Sequence, residues 1–176
     1  MTLSPALLED ALRWRREFHR HPELGYQEQQ TSQFIAEELA QAGLQVFRGL
    51  AGTGVIGTLE NGPGPVIGLR ADMDALPITE IGDAEWRSAT PGVMHACGHD
   101  GHSAILLAAA RQLAATRQFR GTVHFIFQPA VQTLGGARNM VDEALFQRFP
   151  MDPIYAMPHW PGLPLASSAV TPGAPV

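Results

Sequence analysis

Cys97 and His99 stand two residues apart in Cys97-Gly98-His99-Asp100-Gly101-His102, a segment whose side chains can hold a divalent metal. Zinc and similar ions take thiolate, imidazole and carboxylate ligands. In an extended or loop backbone alternate residues project to one side, so both side chains can reach one ion. Gly98 allows a tight turn between them. Asp100 and Gly101 then lead into a helix, where a carboxylate is favoured near the N-terminus, and His102 falls in its first turn. The spacing alone equally suits a structural cysteine beside a helix start, because a lone buried cysteine is usually an inert small hydrophobe. Asp72 and Asp74 add to the metal reading. They follow a β-rich run, Pro65 to Arg70, and the carboxyl end of a strand is where open α/β sheets bind ligands. Asp is also common where strands turn into loops, so both readings stay open on spacing.

The elements that must position these residues alternate along the chain. Ser4-Pro5 marks a helix start, a capping hydroxyl followed by proline at the first helical position. Leu8, Leu12, Arg15 and Phe18 follow at helical spacing as its inner face, and His21-Pro22 ends it. Thr31 opens a second helix that Gly43 stops, with Phe34, Ile35 and Leu39 on its apolar side. Leu44–Leu50, Gly54–Leu59 and Pro65–Arg70 read as strands, the last two joined by the turn Asn61-Gly62-Pro63-Gly64. Gly101–Thr116 reads as a largely buried helix, Gly121–Phe127 as a strand, Gly135–Phe146 as a helix and Pro153–Met157 as a strand. The alternation predicts an α/β fold, a mainly parallel mixed sheet flanked by helices. Ser167–Val176 reads as a linker-like tail.

Composition narrows the function. The 176 residues are 45% hydrophobic and 16% charged, with a net charge of −5. That is a globular chain with a real core and a surface less polar than usual. Lys and Arg form no run and aromatics do not interleave with them, so nucleic acid is a poor partner. One cysteine excludes an internal disulfide and suits a reducing compartment. The first ten residues do not read as a signal peptide, and the apolar run Ala104–Ala110 is too short to span a bilayer. A cytoplasmic protein with no membrane partner is expected.

Five segments together resemble a known family: Arg15–Gly25, Leu69–Ile78, Pro91–His102, Phe125–Ala130 and Trp160–Pro164. The chain is similar to the N-terminal part of the metal-dependent amidohydrolases that include hippurate hydrolases, N-acyl-amino-acid hydrolases and plant auxin-conjugate hydrolases, in the aminoacylase and carboxypeptidase group of metallopeptidases. The resemblance implies a two-metal hydrolase that cleaves the amide of a small N-acyl amino acid, using zinc, manganese, nickel or cobalt. It implies that Cys97 and His99 are metal ligands and that Asp74 orients a ligand or the site. It also implies a glutamate pair after Gln128-Pro129-Ala130, the first member acting as general base and the second binding metal. A further ligand histidine precedes Asn-Trp-Pro in the family, and another comes from near its C-terminus.

This chain departs from that pattern. Val131 stands where the general base is expected and Gln132 where the second glutamate is expected. The segment Pro158-His159-Trp160-Pro161 carries its histidine one residue late, and a one-residue slip in a strand turns a side chain to the other face. His159 is therefore a third, weaker ligand candidate beside Cys97 and His99. A catalytic zinc usually keeps three protein ligands, so at most one metal is expected. The alternative function is a non-enzymatic remnant that binds a metal or a partner weakly. A redox protein built on Cys97 has little support, since no second cysteine can resolve an oxidised one. His19 and His21 read as structural. His95 lies within reach of a hydrogen bond to the site, His102 is a candidate supporting group, and His124 reads as packed in its strand.

The resemblance divides the chain into residues 1–166, the N-terminal part of a catalytic domain, and the tail 167–176, with the smaller dimerisation domain and the closing catalytic segment of the family absent. Such a piece exposes strand edges and apolar faces. The isolated chain is expected to self-associate. Light scattering checks this, and a clean monomer with a cooperative melt counts against it.

Overall fold

The computed structural model describes residues 3–132 and 135–157. Helix α1 (Pro5–Arg20) begins as expected, with Ser4 Oγ accepting from Leu7 N. Its buried stripe is Leu7, Trp14 and Phe18 with Ala11 beside them. Phe18 is buried as expected, but Leu8 and Leu12 are 52% and 46% exposed, and Leu7 and Trp14 take their place. Both sets have helical spacing, and the one containing the indole of Trp14 buries more apolar surface.

Helix α2 (Gln29–Gln41) starts two residues before Thr31. Its first-turn N–H groups are satisfied from outside the helix. Glu23 accepts from Gln30 N (3.1 Å), Thr31 N (2.8 Å) and the Thr31 hydroxyl (2.9 Å). A carboxylate at this end also complements the helix dipole.

Strands β1 (Gln45–Leu50), β2 (Gly54–Asn61), β3 (Val66–Asp72), β4 (Gly121–Gln128) and β5 (Ile154–Ala156) form one sheet in the order β1-β2-β4-β3-β5. The mixed α/β architecture flanked by helices is as expected. Parallel pairing is confined to β3–β4 and β3–β5, while β1–β2 and β2–β4 are antiparallel. The turn at 61–64 joins two strands that do not pair with each other, because β4 lies between them. Asn61 shapes this corner by donating to the carbonyls of Arg117 (2.9 Å) and Phe119 (2.5 Å).

Helix α3 (His99–Thr116) crosses from β3 to β4, and its buried face is rich in small residues, Gly101, Ser103, Ala104, Ala108 and Ala110. On the far side α4 (Gly136–Asp142) and α5 (Leu145–Arg148) replace the single helix expected over 135–146. They are separated at Ala144, whose φ is 69°, a left-handed turn that a continuous helix cannot contain. Strand alternation supplies both faces of the core. Val55, Leu59, Phe125 and Phe127 pack with α1, α2 and α3, whereas Ile56 and Ile126 pack with Met140 and Leu145. Among the described residues no helix is long and apolar enough to cross a membrane.

Glu28 joins α2 to the strand ends. It is fully buried, accepting from the Thr53 hydroxyl at 2.7 Å and from Ala130 N at 2.9 Å. Burial raises its pKa, and the Asp74 charge adds to this, against the hydrogen bonds that favour the carboxylate.

Phe125→Ala is expected to lose about 3–5 kcal/mol in denaturant unfolding, since it empties the centre of the sheet. Ile81→Ala, at a residue 99% exposed, is expected to change stability by less than about 0.5 kcal/mol. Glu28→Gln keeps an acceptor for Ala130 N. A carboxyl whose folded pKa is raised contributes stability below its unfolded pKa and loses that contribution as pH rises through the folded value. The melting temperature of Glu28→Gln relative to the parent is therefore expected to increase between about pH 4 and pH 8. A difference that stays flat over that range contradicts the assignment.

Candidate metal centre

The carboxyl end of β3, the end of β4 and the start of α3 meet at one place. Asp72 closes β3 and pairs with Gln128 across the parallel ladder. Met73 N donates to the Gln128 carbonyl at 3.1 Å, carrying the chain on to Asp74. Gly98 precedes α3 with φ 82°, a left-handed conformation that glycine adopts without steric cost. This turn delivers His99 into the interior as the first residue of the helix.

His99 is buried. Its Nδ1 lies 2.7 Å from the Asp74 carbonyl and 3.1 Å from Asp74 Oδ1. Its Nε2 faces Asp72 Oδ2 at 3.7 Å. One turn later His102 Nδ1 donates to Asp72 Oδ1, and the two imidazole rings stack with centroids 5.5 Å apart. Ser103 Oγ donates to the Asp72 carbonyl at 3.0 Å. Arg70 spans Asp72 Oδ2 at 3.2 Å and Gln128 Oε1 at 2.9 Å.

These contacts set the protonation states. Burial alone would raise the Asp72 pKa, but the His102 hydrogen bond and the charges of His99 and Arg70 bring it down to about 2. Asp74 is likewise lowered against burial, by His99 and by the backbone N–H groups of Gln132 and Val131. His99 is raised against burial by Asp74 and Asp72.

The donor chemistry fits a divalent ion. Asp72, His99 and His102 each offer a ligand atom, all within 4.8 Å of one another. Two nitrogens and a carboxylate oxygen suit zinc and its neighbours. A ligand histidine typically gives its other ring N–H to a carboxylate or carbonyl, which is what Asp74 receives from His99.

His99 and Asp74 are in direct contact. Cys97 is exposed, on the turn before α3, and does not belong to the three-residue group. Val131 and Gln132 follow β4, and Gln132 N donates to Asp74 Oδ2 at 2.9 Å. His159 lies outside the described residues. His95 is buried, and neither ring nitrogen has a hydrogen-bond partner in the described structure. Burial lowers its pKa to about 4.

Two features escaped sequence reasoning. Asp72 lies between both histidines, whereas the sequence reading assigns a role to Asp74 alone. His19 is also more than a helix end. Its Nδ1 is 2.9 Å from Asp100 Oδ2 and its Nε2 3.2 Å from Glu80 Oε1, while Glu80 accepts from Ser88 N at 2.6 Å. This bridge ties α1 to the first turn of α3 and to the loop before it. The partners are 81 and 61 residues away in sequence, so no local signal marks them.

Comparison with known proteins gives the family and the fold. Residues 68–173 match the profile of peptidase family M20/M25/M40. The chain is 40% identical over 171 residues to a hippurate hydrolase of Campylobacter jejuni, covering 95% of this chain and 44% of that protein. It is 46% identical over 135 residues to an N-acyl-L-amino acid amidohydrolase of Geobacillus stearothermophilus, covering 75% of this chain and 36% of that one. A dinuclear metal-binding peptidase of the M20 family from Bacillus subtilis superposes with a TM-score of 0.86 at 37% identity, covering 92% of this chain and 46% of that one. The chain thus spans less than half the length of these relatives. With the family profile covering more than half of its length and the strand-end acids and α3 histidines brought together at one site, this chain belongs to peptidase family M20/M25/M40.

Proposed function

We propose that residues 1–166 form part of the catalytic domain of a metal-dependent amidohydrolase acting on small N-acyl amino acids, hippurate among them. The observation that carries this reading is the His99 arrangement: a buried imidazole whose Nδ1 is held by Asp74 and whose Nε2 faces the Asp72 carboxylate. In the family pattern Cys97 and His99 are the ligands, with His159 as a third candidate. A divalent ion (zinc, manganese, nickel or cobalt) would supply the Lewis acidity that polarises an amide carbonyl. Asp74 orients His99 and, through Gln132 N, the segment after β4. The single cysteine supports a reducing, cytoplasmic setting, and nothing in the charge pattern favours nucleic acid or a membrane surface as a partner.

The same segment argues for weak chemistry. Val131 has no proton to give or take, and Gln132 is neutral where a carboxylate ligand is expected. Losing a general base alone costs on the order of 10²–10⁴-fold in rate. A protein that binds a metal or a partner without turnover is the alternative that these two residues favour.

Purified chain loaded with zinc or manganese is expected to hydrolyse N-benzoyl- and N-acetyl-amino acids no faster than a Cys97→Ala control. Turnover well above that control would overturn the impaired reading and support an active hydrolase.

A further inference from the structure

We propose that the outer face of α1, with Ile105 of α3, is a docking surface for a second copy of this chain, the two α1 helices running antiparallel. The inference does not rest on the hydrolase reading. The chain's own core takes Leu7, Trp14 and Phe18 from α1. Leu8 and Leu12 form a second apolar stripe that this core does not use, 52% and 46% exposed. Ile105, 42% exposed, stands across from them on α3, and the three side chains line one groove of about 400 Å³ between the helices. Single exposed leucines are ordinary, whereas apolar side chains gathered in one groove mark an interaction surface.

Charge identifies the partner. Arg13 pairs with Asp10 and Arg15 with Asp100, while Glu9 and Arg16 have no ion-pair partner among the described residues. Both are exposed. They lie about two helical turns apart, on the same side of the leucine stripe. Arg16 lays its guanidinium over the Trp86 ring at 4.4 Å, a stacking that leaves the N–H edge able to meet a carboxylate. In an antiparallel pair with a two-fold axis near Leu12, the leucine stripes meet. Glu9 of each copy then reaches Arg16 of the other, so the surface is complementary to itself. A parallel pair would set Glu9 against Glu9 and Arg16 against Arg16, which repel. The charge order therefore selects both the partner and its direction. A face the length of α1, about 24 Å, is small, and contacts burying less than about 1,200 Å² are weak and transient.

The test is sedimentation equilibrium of the full chain, with circular dichroism establishing that each variant is folded. The parent is expected to form a dimer at about 0.1–1 mM. Leu12→Asp, at a half-exposed position outside the core, is expected to raise the dimer Kd by more than about 10-fold, since it sets two carboxylates at the axis. Glu9→Arg and Arg16→Glu are each expected to raise it by about 5-fold or more, because each leaves like charges facing one another at both ends. An equimolar mixture of those two variants restores both opposite-charge pairs and is expected to dimerise within about 3-fold of the parent. If Arg16→Glu does not fold, Leu12→Asp and Glu9→Arg decide the question. Association through the edge strand β5 instead, where Ile154, Tyr155 and Met157 are exposed, would be insensitive to all three substitutions. A parent that stays monomeric at about 1 mM, a dimer or larger aggregate unchanged by Leu12→Asp or Glu9→Arg, or a mixture no better than either variant alone would each overturn the assignment.

Discussion

The Asp74 carboxylate is the contact on which the site depends. It is buried, and an ionised carboxylate away from water is costly unless its lone pairs are filled. Here they are filled from two directions, by His99 Nδ1 on Oδ1 and by Gln132 N on Oδ2. Those donors belong to the start of α3 and to the segment after β4. Satisfying one charge therefore sets the relative positions of three chain segments. The same bonds keep Asp74 ionised against burial, so the anchor and the local negative potential are one feature.

The sheet makes this convergence possible. β3 and β4 are adjacent and parallel, with Asp72 opposite Gln128, so both chains leave the sheet at the same edge. α3 must then lie close enough to that edge for His99, His102 and Ser103 to reach Asp72. Its glycine and alanines permit the approach, because small side chains let a helix backbone sit near the strands. Gln128 serves both ends of the arrangement, accepting from Arg70 through its side chain and from Met73 N through its carbonyl.

The loop between β3 and α3 carries His95 and Cys97 and is fastened at several points. Leu76 and Met94 exchange backbone hydrogen bonds at 2.9 and 3.0 Å, and Ala89 N donates to the Arg20 carbonyl at 2.8 Å. His19 adds its bridge between Asp100 and Glu80. The outer faces are less covered. Leu8, Leu12 and Ile105 are exposed on α1 and α3, as are Ile154, Tyr155 and Met157 at β5.

Much of the fold was legible because it is written locally. Ser4-Pro5 and Gly43 punctuate helices, strand alternation reports burial, and the Cys97–His102 segment carries the family's pattern. The misreadings have physical causes. On α1 Leu8 and Leu12 are expected where Leu7 and Trp14 are buried, because two apolar sets share helical spacing and only packing against α3 selects the one with Trp14. α2 began early because its cap comes from Glu23, outside the helix. The turn at 61–64 was placed correctly but joins strands separated by β4, since strand order is a long-range property. By itself the sequence determined the element types, the family pattern and the replacement of the expected glutamates by Val131 and Gln132, all matters of residue identity. Only the tertiary structure decided that Asp72 stands between His99 and His102 while Cys97 points to the surface. Which donor atoms meet depends on distances between segments 25 to 30 residues apart, and the sheet and α3 set those distances.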